Sequence, residues 1–465
     1  VRRPAFRFLL VLLAAPASAQ GIEAWQPPTL TTVRYDEDWD RLADPAERMD
    51  RWTEKFKYVP LGDDGTYLVS GIELRVRTEN YRSNLWGGAD APDDGFLWLR
   101  AMPYADLHAG HVRAFVQPIA AYAVGVAPSP SPVDRTGIDL LQGFADVRLG
   151  AHTGDTEGFG VTVRVGRELM SFGNERLIGT RYGPNVPLAF DGVRAIISLP
   201  GAVVSVMDKR PVQQGLGDFD DRRDRTRRLS GVYATIPHAS GDLDLYWLRY
   251  RNDAAAFEDG DGRETRHSLG ARLDGKAADW HWDAEGVFQF GRLGMSRIRA
   301  WTGSIEVGRQ FPDVALSPDA LMRVSIISGD RRAGDRRLGT FNALFPRGKF
   351  FGELSPVGPY NLVSVNPRVT LTLSKTVTAA LAGNSFWRYA ANDGVYDIPG
   401  NLIRAAKGSG ARSIGRQVEA SFSWQASPEL EVSGAVAAFA ADAFLRETGP
   451  HRTIGMAALE TNFRF

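Results

Sequence analysis

From about residue 66 onward the chain alternates apolar and polar positions with a period of two. Across 72–79, Ile72, Leu74, Val76 and Thr78 occupy one parity and Glu73, Arg75, Arg77 and Glu79 the other. Across 280–290 the even positions are aromatic or small (Trp280, Trp282, Phe288, Phe290), and the odd ones are mostly polar. Val418, Ala420, Phe422 and Trp424 alternate with Gln417, Glu419, Ser421 and Ser423; His267, Leu269, Ala271 and Leu273 alternate with Arg266, Ser268, Gly270, Arg272 and Asp274. A period of two gives each parity one face of a β-strand. The stretches between strands come in two lengths. Those at 208–230, 251–264, 328–338 and 401–413 are long and charged, whereas Asp274-Gly275-Lys276 predicts a short hairpin turn.

Alternation alone also describes a soluble sandwich with its apolar face inward. Three features favour a membrane barrel instead. Trp and Tyr recur near strand ends (Tyr81, Trp86, Trp98, Tyr246, Trp247, Tyr250, Trp301, Trp387, Tyr389), where interfacial girdles sit. The polar parity carries fixed charges of both signs. The last strand, Leu459 to Phe465, alternates and ends on Phe, a familiar end signal of bacterial outer-membrane barrels. Residues 66–465, at roughly 22 residues per strand and connection, make about 18 strands, with 16 the alternative. A barrel that wide leaves an aqueous lumen, so its expected work is transport.

The remaining composition narrows the choice. Arg2, Arg3 and Arg7, the apolar run from Phe8 to Ala15 and Ala17-Ser18-Ala19 predict a signal peptide over 1–19. A periplasmic or lumen-tucked segment, 20–65, and a barrel, 66–465, complete the expected domains. Loss of 1–19 removes three arginines and no acid, leaving a formal charge of −3 from a balanced 55 and 55, so no nucleic-acid footprint is expected. The chain has no cysteine, which excludes disulfides, thiolate metal sites and a thiol nucleophile. Its seven histidines are scattered, no serine sits in a nucleophile elbow, and Asp259-Gly260-Asp261-Gly262 departs from EF-hand spacing. No enzyme activity, cofactor or metal is therefore expected. Before the first strand, Asp44 and Pro45 predict a capped helix over 44–57.

Several stretches resemble the alginate export family of outer-membrane barrels, in the same order along the chain. They are Arg34 to Trp39 (RYDEDW), Lys57 to Gly62 (KYVPLG), Gly166 to Leu169 (GREL), Gly173 to Gly179 (GNERLIG) and Phe190 to Arg194 (FDGVR). Later come Thr340 to Pro346, Phe351-Gly352-Glu353, Asn392 to Tyr396 and Arg446 to Pro450. Glu168 and Asn174 depart from that family's Gln and Asp. The resemblance implies an all-β, 18-stranded outer-membrane barrel passing an anionic polysaccharide or acidic sugar through an arginine-rich pore. It also implies bilayer and lipopolysaccharide contacts, periplasmic export partners, and recognition of Phe465 by the barrel-assembly machinery. A general porin is the rival of the same shape; a secreted polysaccharide-binding sandwich or enzyme is the rival of another class.

A uronate polymer carries a carboxylate on every sugar, and arginine offers it a planar, permanently charged fork. By parity Arg75 and Arg77 belong on the lumen face opposite Leu74 and Val76. Arg164 lies between Val163 and Val165, and Arg148 shares a face with Asp146. Arg167, Arg176, Asp191 and Arg194 are expected to cluster as a wall or constriction, with Arg388 and Arg416 as later pore-lining candidates. The arginines of 222–228 suit a solvated or lipopolysaccharide-facing loop. His267 and Ser268 fall on opposite faces and form no dyad.

Overall fold

The computed structural model describes residues 28–88, 93–151 and 156–465. The predicted signal peptide lies outside the described residues. Eighteen antiparallel strands form a closed barrel. They are β1 Tyr67–Arg82, β2 Asp94–Ala109, β3 Val112–Val124, β4 Gly137–Gly150, β5 Gly160–Leu169 and β6 Ala189–Leu199. Next come β7 Ala202–Gln213, β8 Arg227–His238, β9 Gly241–Phe257, β10 Gly260–Ala277, β11 Trp280–Leu293 and β12 Ser296–Gln310. The last six are β13 Asp319–Ile327, β14 Leu362–Thr372, β15 Val377–Arg388, β16 Ser413–Gln425, β17 Leu430–Ala441 and β18 Ile454–Arg464. Closure is made by β1 against β18, from Glu73 opposite Arg464 to Arg82 opposite Gly455.

The alternation decides which face looks where. In β1 the odd positions from Tyr67 to Glu79 are buried, while Leu74 and Val76 are exposed. Exposed Leu, Val and Phe side chains on one parity throughout the barrel make the outer wall that a bilayer requires. Trp247, Trp280, Trp301 and Trp424 stand in that outer wall. Tyr81, Trp86, Trp98, Tyr246 and Tyr250 do not, because each packs inward, so the girdle uses fewer of the aromatics than the sequence suggested.

Both described chain ends lie at one rim, where most connections are short. At the other rim the long loops 170–188, 328–361 and 389–412 fold back into the barrel. Their Leu177, Ile178, Phe341, Phe345, Phe351, Tyr360 and Tyr396 are buried against inward strand residues such as Phe190, Tyr250 and Phe386. Backbone bonds join two of the loops, Gly179 N to Phe345 O at 2.8 Å and Phe345 N to Leu177 O at 2.9 Å.

Two predicted connections differ. The strands β9 and β10 run on through 251–264 and meet at a tight turn at Glu258 and Asp259, since Ala255–Phe257 keep pairing with Gly260–Gly262. Asp274-Gly275-Lys276 stays in strand, with Gly275 opposite Gly241, and the turn falls at Ala278, where φ is positive. The segment before β1 is not one helix. It forms 3₁₀ turns at Pro45–Glu47 and Trp52–Phe56, broken where Asp50 takes a left-handed φ of 56°. Asp44 still caps, its Oδ1 accepting from Ala46 N at 2.9 Å.

Candidate functional site

The inner wall begins with arginines on the inward parity whose donors are already engaged. Arg75 donates to the backbone oxygens of Tyr182, Gly183 and Pro184 at 3.0, 2.7 and 3.3 Å and faces Glu460 at 3.3 Å, fixing the 170–188 loop to β1. Arg164 pairs with Asp146 (2.8 Å) and Glu168 (3.0 Å), and its guanidinium lies over the rings of Tyr35 and Phe144. Arg176 bridges Asp283 (2.9 Å) and Glu285 (3.0 Å). Arg388 is fully buried over Phe444 and donates only to backbone carbonyls of Ala391, Asp393, Ser409 and Ala411. Arg194 touches Ser205 and Glu168, with its guanidinium over Phe172.

Among the described residues, two charged cavities open inside the barrel. The smaller, about 370 Å³, lies under the N-terminal segment and is walled by Asp36, Glu37, Arg113, Asp146, Arg148, Arg164 and Arg194. That segment is well seated: Tyr35, Trp39 and Leu42 pack on Tyr67, Tyr104, Phe115 and Phe144. Tyr35 also donates to Leu169 O at 2.6 Å. Arg34 donates to Phe465 O at 2.8 Å, and Trp52 and Phe56 pack on the Phe465 ring. Lys57 is buried there, donating to Ser70 O and to the Tyr104 hydroxyl at 2.9 and 2.7 Å. Burial, helped by Arg34 and opposed by Glu37, pushes its amine down to about 7.

The larger compartment, about 540 Å³, lies beside the inward-folded loop 328–361. Arg77, Arg323, Arg347, Lys349 and Arg368 meet Glu306, Glu353, Glu419 and Glu431 on its wall. Arg77 is held by Glu79, Glu353 and Glu460 at 2.5, 2.6 and 2.9 Å. Burial opposes ionisation of Glu353, but Lys349 and Arg77 outweigh it and hold the carboxyl below its ordinary value. Arg323, Arg347 and Arg368 are different. Among the described residues none of the three has a carboxylate within ion-pair distance. Arg323 donates to Phe350 O at 3.2 Å and Arg347 to Asn174 Oδ1 at 2.8 Å. Burial and the neighbouring Arg176 pull the Arg347 guanidinium below its usual range, outweighing the opposite pull of the more distant Glu306, Glu175 and Asp283. The sequence reading missed these three, although parity signals two of them: Arg323 alternates with Met322 and Val324, and Arg368 with Pro367 and Val369.

Three of the expected pore-lining residues face outward. Arg167 shares parity with Val163 and Val165, and Asp191 with Val193, all exposed on the outer wall. Arg167 and Asp191 sit opposite each other in β5 and β6 and pair at 2.8 Å. Arg416 shares the outward parity of Val418, which is 60% exposed, and faces Asp442 at 3.6 Å. Near the outer rim the carboxylates of Asp139, Asp220 and Asp221 approach within 4.8 Å. Four of their oxygens accept from the backbone N–H groups of Leu140, Asp221, Gly217 and Gly215, which tie the 214–226 loop down.

An 18-stranded closed barrel with an apolar outer wall and a charged, loop-narrowed lumen defines a bacterial outer-membrane channel. A family model described as alginate export matches residues 66–455, and the chain belongs to that family. Solved structures with the same fold include OccK2 (OpdF) of Pseudomonas aeruginosa in complex with glucuronate. It is 10% identical, with a TM-score of 0.57, covering 86% of this chain and 98% of that one. OpdK of Pseudomonas aeruginosa with vanillate is 12% identical, with a TM-score of 0.56, covering 85% and 98%. OccAB1 of Acinetobacter baumannii is 10% identical, with a TM-score of 0.58, covering 89% and 99%. No curated protein of described function matches the chain.

Proposed function

We propose that this barrel is a passive, non-enzymatic channel for acidic sugars, with an anionic polysaccharide or its oligosaccharides as cargo. The observation that carries the reading is the trio Arg323, Arg347 and Arg368, cations on the wall of the larger cavity that have, among the described residues, no carboxylate within ion-pair distance. A guanidinium whose donors are not taken by an ion pair, whether buried like Arg323 or exposed like Arg368, can bind a solute carboxylate, and charge-assisted bonds of this kind are each worth about 1.5–3 kcal/mol. The acids on the same wall, Glu306 directly opposite Arg323 in the paired strands β12 and β13, together with Glu419 and Glu431, limit residence, because a conducting site must also release its occupant. Arg75, Arg164, Arg176 and Arg388 serve in this reading as girders, and Arg77 and Arg194 as wall groups shared between structure and cargo. Membership of the alginate export family, and neighbours solved with glucuronate and vanillate, both carboxylates, support the same solute class.

The test is uptake into proteoliposomes. Glucuronate and its oligomers are expected to enter faster than the neutral sugars of the same size, and the preference should fall in R323Q/R347Q/R368Q. Equal rates for acidic and neutral sugars would make the protein a general porin.

A further inference from the structure

We propose that the outer face of β8 to β12 is a binding surface for a phosphorylated glycolipid of the outer leaflet, one whose disaccharide headgroup bears a phosphate at each end. The inward face explains the lumen; it does not explain why one sector of the outward face is so basic. Near the long-loop rim, direct cross-strand pairing places Arg228 opposite Arg251, Arg251 opposite Thr265, Thr265 opposite Arg292 and Arg292 opposite Arg297. Arg337, in the two-residue ribbon Arg337–Leu338, pairs beside Arg297 and extends the row. Six adjacent positions therefore hold five arginines and no acid.

Like charges directly opposite each other destabilise a sheet unless something neutralises them. Arg228 has Asp208. Among the described residues, Arg251, Arg292, Arg297 and Arg337 have no carboxylate within ion-pair distance, and all four are exposed. The counter-ion must come from outside the chain.

Depth then selects its chemistry. One pair further from the rim, Arg249 and Arg299 flank His267 and Phe290; one further still lies the apolar row Trp247, Leu269, Phe288 and Trp301. Two residues of strand rise about 6.7 Å, so the outermost cations stand about 13 Å along the strand from the Trp row. With the aromatic row at the apolar boundary, the arginines fall at headgroup level. Spacing selects further. The pairs Arg228/Arg251 and Arg292/Arg297 are separated by the strand bearing Thr265, which sets their midpoints about 14 Å apart at the usual strand spacing. Two cationic grips across a neutral gap suit a disaccharide phosphorylated at both ends better than a lipid with one phosphate. Two other strands lack such cations on their outward parity: β14 and β17 carry Val363, Val365, Val436, Ala438 and Ala440 toward the same rim.

The experiment is native mass spectrometry of the detergent-extracted, heat-modifiable barrel, with bisphosphorylated lipid A, monophosphorylated lipid A and phosphatidylglycerol offered separately. The wild type is expected to retain the bisphosphorylated form at least about tenfold better than either competitor, a gap of about 1.4 kcal/mol. R251Q/R292Q/R297Q should lose that preference, and R416Q, outside the row, should keep it. Retention that ignores the second phosphate, or a triple variant indistinguishable from wild type, would overturn the proposal. The competition on the unmutated barrel decides the matter even if the triple variant fails to fold.

Discussion

Arg388 and Arg323 show how one residue type does two kinds of work in this lumen. Arg388 has its donors on four carbonyls of the 389–412 loop and a ring beneath it. R388A would leave those buried acceptors without donors, and a loss of about 3 kcal/mol or more is expected in urea unfolding. R388K should recover little of it, because an ammonium cannot reach the carbonyls that a planar fork spans. Arg323 has one carbonyl contact and faces the compartment, so R323Q should leave unfolding nearly unchanged while weakening uronate block of the current about tenfold, the cost of one charge-assisted contact. The sequence already held part of this distinction. Alternation put Arg75, Arg77 and Arg164 inward, and the motif cluster put Arg194 there. The same alternation puts Arg167 with Val165 and Arg416 with Val418; placing Arg167 by motif, and Arg416 without regard to parity, turned them the wrong way. Whether an inward arginine is engaged was not legible, since its partners, such as the backbone oxygens of Tyr182 and Ala411, come from the long loops 170–188 and 389–412 that fold back into the barrel.

Among the elements, the N-terminal segment depends most on pH. Lys57 has a folded-state pKa of about 7, below the ordinary lysine value, so the undocked segment binds more protons between about pH 7 and 10. Docking is therefore expected to strengthen as pH rises through that window. Burial raises the carboxyls of Asp36 and Glu37, which act in the opposite sense at lower pH, so the test belongs above pH 7. Proteolysis at Arg48 or Arg51 should be slower at pH 9.5 than at pH 7 in the wild type, and K57M should abolish the difference. The seam itself rests on Gly71, where a Cβ would meet Phe465 O at 2.2 Å and Tyr104 at 2.7 Å. G71V should displace the Phe465 contacts with Trp52 and Phe56 and raise protease sensitivity of the segment. Asp44-Pro45 predicted a helix here because it is a good start; the chain turns extended at Arg48 and left-handed at Asp50, which stops it.

At the scale of the whole molecule, closure of β1 on β18 removes every long edge, and inward loops convert a wide lumen into compartments. Strand number and outer-wall polarity were readable from length and period two. Loop placement was not, because 328–361 and 170–188 look like any polar connection until Ile178, Phe345 and Phe351 are seen buried inside the barrel. The charge asymmetry follows the same division: an outward arginine row on one sector for the leaflet, and three guanidiniums outside any ion pair inward for the solute.

The central claim is recognition of an acidic sugar by those inward cations, and single-channel current in a planar bilayer tests it most directly. Under a salt gradient the wild type should be anion-selective, and polyuronate should block it at concentrations at which neutral polymer of equal length does not. R323Q/R347Q/R368Q should relax both properties while the open-channel current persists. A current equally indifferent to charge and to polyuronate in both proteins would contradict the account.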